Sequence, residues 1–113
     1  KFEEAAECFD EAGKMYMMAK AFDVAGRTYG RAAELHVKTK SEFDAATSYG
    51  KAAEAWQKHG DVDACVACYE RSIATYGGMG KCSMAAGNSK KLAELLEAKG
   101  MVSRAVEVYA QAI

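Results

Sequence analysis

The sequence predicts an all-α fold, a right-handed stack of antiparallel helix hairpins with about six helices, of the α-solenoid class. The first observation is the stretch Phe22–His36, whose aromatic and small residues recur at helical spacing and share one face. The second is that this face returns along the whole chain at a constant interval, without a gap. The third is the absence of proline, which suits helices joined by short turns. A fixed period of this kind is typical of repeat arrays.

Three columns of equivalent residues define the repeat. The column through Tyr29 is mostly aromatic: Phe9, Tyr29, Tyr49, Tyr69, Ser89 and Tyr109. The column four residues earlier is small: Ala5, Ala25, Ala45, Cys65, Ala85 and Ala105. The column seven residues later is bulky: Tyr16, His36, Trp56, Tyr76 and Leu96. Because a small residue lets a neighbouring helix approach, we expect adjacent copies to cover each face and helix pairs to form a hairpin unit of about 40 residues.

The ends of the helices follow from capping residues. We predict helices at Phe2–Met18, Phe22–Val37, Glu42–Lys58, Val62–Tyr76 and Cys82–Lys99, and a sixth that begins near Met101. Asp61 is expected to cap the fourth helix, and Ser41 with Asp44 the third. Glycines of one column are expected to end helices in the left-handed conformation: Gly60, Gly80 and Gly100. Gly30 and Gly50 lie inside helices, where we expect the backbone of an adjacent helix to come close.

Composition and charge narrow the classes of function. A net charge of −1 argues against nucleic acid as a partner. No run is long and apolar enough to span a bilayer, and four cysteines without a disulfide framework indicate a reducing compartment, by default the cytosol. The chain begins without Met and ends on an apolar column position, Ile113. We therefore interpret residues 1–113 as a single repeat segment of a longer array.

The residues capable of chemistry have simpler interpretations. Cys65 and Cys68 form a CxxC pair, but no second pair lies at zinc-ligand spacing, and Cys65 occupies the small core column. His36 belongs to a bulky column, which favours packing over general-base catalysis. We therefore assign no catalytic, metal or cofactor site and expect that the protein is not an enzyme.

Longer motifs resemble a known family. The columns resemble the tetratricopeptide pattern, although the hairpin unit is longer here and lacks the usual proline of that pattern. The order AAxxFxxAGxxYxxAKxFxxAGxxYxxAAELH from Ala5 to His36 is similar to the soluble NSF attachment proteins. The block FDAAT from Phe43 and the segment Tyr76–Lys81 extend the likeness, which is greatest to the alpha form of the family. The resemblance covers essentially the whole chain.

This resemblance implies an adaptor that coats the four-helix SNARE bundle and recruits the hexameric ATPase NSF for its disassembly. It implies a cytoplasmic protein, peripheral on membranes. By similarity, Lys20, Lys58 and Lys81 stand at basic positions of the SNARE-binding surface, whereas Gln57 and Gly87 stand where further lysines are expected. The membrane-touching loop is expected before the first residue, and the NSF-activating helices after the last.

One basic column adds two residues to this surface. It reads Glu11, Arg31, Lys51, Arg71 and Lys91. If alternate helices face opposite sides, Lys51 and Lys91 can join Lys58 and Lys81 in a cationic stripe. A solvated face without function is the alternative, because exposed charges contribute little individually.

A second function is open on the same fold. Tetratricopeptide-like arrays also bind extended peptides, so a generic peptide-binding module is the alternative to the SNARE adaptor. The aromatic and alanine columns face inward in the predicted fold, and we therefore expect no evident peptide pocket.

Overall fold

Six α-helices in succession make up the described part of the chain. The computed structural model describes residues 1–111, except the side chains of Val102, Ser103, Tyr109 and Gln111. The helices are α1 (Phe2–Met18), α2 (Phe22–Lys38), α3 (Glu42–His59), α4 (Val62–Gly78), α5 (Cys82–Ala98) and α6 (Val102–Gln111). No strand occurs within residues 1–111, which confirms the all-α class. The core position expected at Ile113 lies outside the described residues.

The helices form two layers, because each one packs against its neighbours in sequence. The odd layer holds α1, α3 and α5, where Ser48 of α3 reaches Asp10 of α1 and Lys91 of α5 reaches Glu54 of α3. The even layer holds α2, α4 and α6. The Cα atoms fill a slab of 42 × 32 × 17 Å, in which each layer presents its own outer surface.

The alanine columns are the contact surface between the helices, as predicted. Their inner members are fully buried: Ala25, Ala32, Ala33, Ala45, Ala46, Ala52 and Ala53. Larger side chains take over in the second half, where Tyr69, Leu92 and Leu96 are the largest fully buried residues among those that the structure describes. The expectation that every face is covered is wrong at Tyr16, which is 40% exposed. Within the described residues, α1 has a sequence neighbour on one side only.

The glycines that permit close packing are not the ones that the sequence singled out. A Cβ on Gly30 would meet nothing within 4 Å, and one on Gly50 would meet only side-chain atoms 3.5 Å away. The predicted close approach of backbone at these two positions is therefore wrong. A Cβ on Gly26 would lie 2.6 Å from Trp56, and one on Gly13 would lie 2.9 Å from Tyr29. These two glycines leave room for aromatic rings from neighbouring helices.

The helix ends follow one rule at their C-termini. Gly60, Gly80 and Gly100 have φ values of 102°, 76° and 78°, in the predicted left-handed conformation. Lys20 and Lys40 fill the same column and adopt it too, with φ values of 62° and 60°. A β-carbon is strained in this region, so the repeat imposes the turn geometry whether or not glycine is present.

The N-terminal caps are less uniform. The Asp61 carboxylate accepts a hydrogen bond of 3.0 Å from the Ala64 amide, which confirms the cap of α4. The cap predicted for α3 is wrong, because the side chain of Ser41 makes no capping hydrogen bond. The Ser41 hydroxyl instead accepts a bond from Thr39. The helices begin as predicted or within a residue, and α2, α3 and α4 run one or two residues further.

Candidate protein-interaction surfaces

Three of the predicted lysines lie on the outer surface of the odd layer around one glutamate. Lys51 and Lys58 are three and four residues from Glu54 on α3, so all three share a helix face. Lys91 of α5 places its ammonium nitrogen 3.4 Å from Glu54 Oε2. The structure thus brings Lys51, Lys58 and Lys91 together, with Glu54 between them.

The other two predicted lysines lie at the ends of this layer. Lys81 precedes α5 and packs near the start of α3, where its ammonium lies 6.0 Å from the centre of the Phe43 ring. Lys58 lies in the last turn of α3, about 22 Å further along that helix at 1.5 Å per residue. Lys20 lies in the turn between α1 and α2. The five lysines therefore do not form one compact cluster.

Aromatic rings support the cations of both layers. The ammonium groups of Lys51 and Lys58 lie 5.9 Å from the ring centres of Tyr29 and Phe22. Contacts of this length are favourable by about 0.5–1 kcal/mol at exposed sites. The side chains of Lys51, Lys58 and Lys81 form no ion pair within the described residues. Their charges are held in position yet remain available to a partner.

A buried polar cluster joins the first three helices. His36 Nε2 lies 2.8 Å from Asp10 Oδ2, and the Ser48 hydroxyl donates to Asp10 Oδ1 over 2.7 Å. His36 and Ser48 are both nearly inaccessible to solvent. The carboxylate stands between the two, so the serine hydroxyl is hydrogen-bonded to Asp10 and not to the imidazole of His36. This arrangement ties α1, α2 and α3 together and satisfies buried polar groups.

The cysteines show the properties of packed side chains. Cys65 is fully buried, and burial, reinforced by the nearby Cys68, raises the pKa of its thiol from 9.0 to about 12. Burial also raises the pKa of Cys68. Such thiols are poor nucleophiles and poor metal ligands, since both roles need the thiolate. Across the described helices, no three His, Cys, Asp or Glu side chains are placed to hold a metal ion.

A groove that the sequence pattern did not predict lies on the even layer; whether it binds peptides stays open. An open groove of about 770 Å³ runs between α2 and α4. We call it the α2–α4 groove and define it by its lining residues: Phe9, Ala12 and Tyr16 of α1, Val24, Gly26, Arg27, Thr28, Gly30, Arg31 and Glu34 of α2, Tyr49 and Trp56 of α3, and Cys68 and Arg71 of α4. The signal was present in the basic column, since Arg31 and Arg71 stand one hairpin unit apart. The groove also depends on the empty space beside Gly30, which no neighbouring side chain fills. A sequence pattern does not show that this space is empty.

None of the helices in residues 1–111 combines the length and the apolar character needed to cross a bilayer.

Comparison with solved structures supports the fold. The tetratricopeptide domain of Arabidopsis FLU superposes with a TM-score of 0.84 and covers 99% of this chain and 94% of its own. The two sequences are only 13% identical, so this likeness concerns the fold alone. It confirms the prediction of tetratricopeptide-like helical repeats.

Comparison of sequences supports the family. Alpha-soluble NSF attachment proteins of Mus musculus and Homo sapiens are 35% and 34% identical over 112 residues. These matches cover 98% of this chain and 38% of each relative. The vesicular-fusion protein SEC17 of Komagataella phaffii is 28% identical over 88% of the chain. The family model of the soluble NSF attachment proteins matches residues 1–113, and the chain therefore belongs to that family.

Proposed function

We propose that this chain acts as part of an adaptor in intracellular membrane trafficking, which binds SNARE bundles and recruits the NSF ATPase. The family match over residues 1–113 carries the proposal. The chain spans 38% of the length of its mammalian alpha relatives, so the recruitment of NSF is proposed for the whole protein. A cytoplasmic location, peripheral on membranes, follows from the same role.

The odd layer is the surface that we propose for the bundle. Lys51, Lys58 and Lys81 present ammonium groups above aromatic rings and lack ion-pair partners in the described part of the chain. Lys20 is proposed to extend this surface from the α1–α2 turn. When this rigid helical layer binds a rigid bundle of helices, little conformational entropy is lost, so a few charges are enough to orient the encounter.

Lys91 contributes less than the others in this proposal. Its charge is already engaged by Glu54, and both side chains are about half exposed, at 55% and 46%. The exchange of this pair for a SNARE carboxylate gains little, since exposed ion pairs are worth about 0–1 kcal/mol.

The test is a titration of this chain against a preassembled SNARE bundle. We expect binding to weaken as salt rises, because the Debye length shortens from about 10 Å at 0.1 M. Replacing Lys58 and Lys81 together by Glu should weaken binding by about tenfold or more, since two attractions become repulsions. Calorimetry or anisotropy measures the affinity, and circular dichroism checks helicity.

The matched control reverses two charges on the even layer, Arg27→Glu with Lys38→Glu. This variant has the same net charge and should keep its affinity for the bundle within about twofold. Equal losses in the two variants would show that only net charge matters. Binding that ignores both salt and the odd-layer substitutions would contradict the proposed surface.

Peptide binding is the second candidate, favoured by the α2–α4 groove. A pull-down that recovers short peptide tails, and no assembled SNARE bundle, would support it over the adaptor role. Enzymatic activity has no comparable support, since His36 is committed to Asp10 and Cys65 is buried.

A further inference from the structure

Two arginines of the even layer are held in place without an acidic partner. The Arg31 guanidinium lies 5.6 Å from the centre of the Phe9 ring, and that of Arg71 lies 5.6 Å from the Tyr49 ring. Arg71 also donates to the Tyr49 hydroxyl over 3.4 Å. Neither arginine has a carboxylate within ion-pair distance among the described side chains. Arg27 and Arg104, in contrast, are paired with Asp23 and Glu70.

This arrangement suits carboxylates. A guanidinium offers its donors in a planar fork that matches a carboxylate in two parallel hydrogen bonds. Stacking on a ring fixes the fork before a ligand arrives, so less side-chain entropy is lost on binding. Both side chains are solvent-exposed.

The local charge of the groove opposes that of the whole chain. The net charge of the chain is −1. The two adjoining openings between and beside α2 and α4 are lined by the cations Arg27, Arg31, Lys38 and Arg71 and, among acids, by Glu34 alone. Arg27 is paired with Asp23, but Arg31, Lys38 and Arg71 form no ion pair among the described side chains, so this part of the even layer attracts an acidic ligand.

The two arginines are within reach of a single helical ligand. Arg31 of α2 and Arg71 of α4 line the same two adjoining openings of the groove. Two residues seven positions apart on an α-helix are separated by about 10.5 Å and lie on nearly the same face. One helix laid across α2 and α4 can thus meet both guanidinium groups.

We propose that the α2–α4 groove binds an acidic amphipathic helix of a partner protein. Two carboxylates seven residues apart engage Arg31 and Arg71, and an apolar side chain between them enters the groove beside Gly30 and Cys68. An anionic lipid surface fits less well, because Glu34 and Glu70 lie exposed on the same layer and would face it. The site lies on the layer opposite the proposed SNARE surface and does not depend on it.

The only tryptophan of the chain, Trp56, reports on this groove. The probe is a stapled helical peptide without aromatic residues, with Glu pairs seven positions apart and leucine between them. Titration into the full chain should change Trp56 emission saturably. Arg31→Gln with Arg71→Gln should weaken binding about tenfold or more, and the two arginine-to-lysine changes should weaken it less.

The controls separate this site from general charge attraction. A peptide with Gln in place of Glu, or with the two Glu on opposite faces, should bind about tenfold more weakly. Lys58→Glu with Lys81→Glu should leave the affinity for the peptide unchanged within about twofold. Circular dichroism establishes that each variant is folded.

Several results would overturn the proposal. The proposal is wrong if the peptide does not bind saturably, or if the variant with Arg31→Gln and Arg71→Gln binds it as tightly as the parent chain. It is also wrong if the variant with Lys58→Glu and Lys81→Glu loses as much affinity for the peptide as the glutamine variant does. A shift of Trp56 emission by phosphatidylserine vesicles that requires Arg31 and Arg71, without any response to the peptide, would assign the surface to membranes instead.

Discussion

At the scale of single residues, function and packing depend on what stands opposite a side chain in the neighbouring helix. Gly26 and Gly30 occupy the same helix and have the same intrinsic preferences. Gly26 lies beneath the Trp56 ring, whereas Gly30 faces the open α2–α4 groove. Gly26 is required because the Trp56 ring occupies the space that a Cβ would need, whereas Gly30 leaves space that a ligand can use.

This contrast gives a matched pair of substitutions. Gly26→Ala should destabilise the chain by about 1–3 kcal/mol, because its Cβ would lie 2.6 Å from the Trp56 ring. Gly30→Ala should stabilise it by about 0.5–1 kcal/mol, since alanine favours the helix and nothing obstructs its Cβ. Urea unfolding followed by circular dichroism measures both. Equal effects of the two substitutions would show that the Trp56 contact does not constrain α2.

At the scale of the helices, the repeat fixes where each one ends. The turns after α1 to α5 each contain one residue in the left-handed conformation. This residue is glycine in three of the turns, and it is Lys20 and Lys40 in the other two. The lysines adopt the same backbone because the following helix must begin at the same angle to pack on its neighbours. Lys20 belongs to the proposed SNARE surface, so its strain is compatible with selection for charge at that position.

The strain at Lys40 is testable, because this lysine lies outside both proposed surfaces. Lys40→Gly should stabilise the chain by about 0.5–1 kcal/mol, since glycine adopts the left-handed conformation without a Cβ clash. Lys40→Ala removes the same charge but keeps the β-carbon, and should give no such gain. Thermal or urea unfolding distinguishes them. If alanine stabilises as much as glycine, the effect comes from charge and not from the backbone.

At the scale of the whole molecule, the core protects groups that ionise at high pH. Burial raises the pKa of Cys65 from 9.0 to about 12, and it also raises the pKa values of Tyr29 and Tyr69. The unfolded chain loses the Cys65 proton near pH 9, whereas the folded chain retains it to about pH 12. Because the unfolded state binds fewer protons in this interval, stability is full below it and falls as the pH rises.

We therefore expect alkaline destabilisation that is reduced in Cys65→Ala. One group contributes at most about 1.4 kcal/mol per pH unit, and alanine is the usual residue of this column. The urea concentration at the midpoint of unfolding should fall less between about pH 8 and about pH 11 for the variant than for the parent chain. Tyr29 and Tyr69 contribute part of the pH dependence of stability in both the variant and the parent chain. An unchanged pH dependence in Cys65→Ala would contradict the role of this thiol.

The sequence by itself determined the repeat, the helices and the family. Periodic columns specify which face of each helix is buried, and positions such as Asp61 and Gly60 mark helix boundaries through local hydrogen bonds and backbone preferences. These interactions involve residues close in the chain, or copies at a constant spacing, so a pattern reveals them. The resemblance supplied Lys20, Lys58 and Lys81 as candidates and the basic column supplied Lys51 and Lys91; their role in binding stays a prediction.

Only the tertiary structure decided which side chains meet across helices. Asp10, His36 and Ser48 come from three helices, and nothing in their order predicts a shared carboxylate. The separation of Lys81 from Lys58, the pairing of Lys91 with Glu54, and the α2–α4 groove likewise depend on the crossing of helices distant in sequence. Periodicity identifies a face but not its distance from the opposing one, and that distance determines whether a glycine is filled or left open.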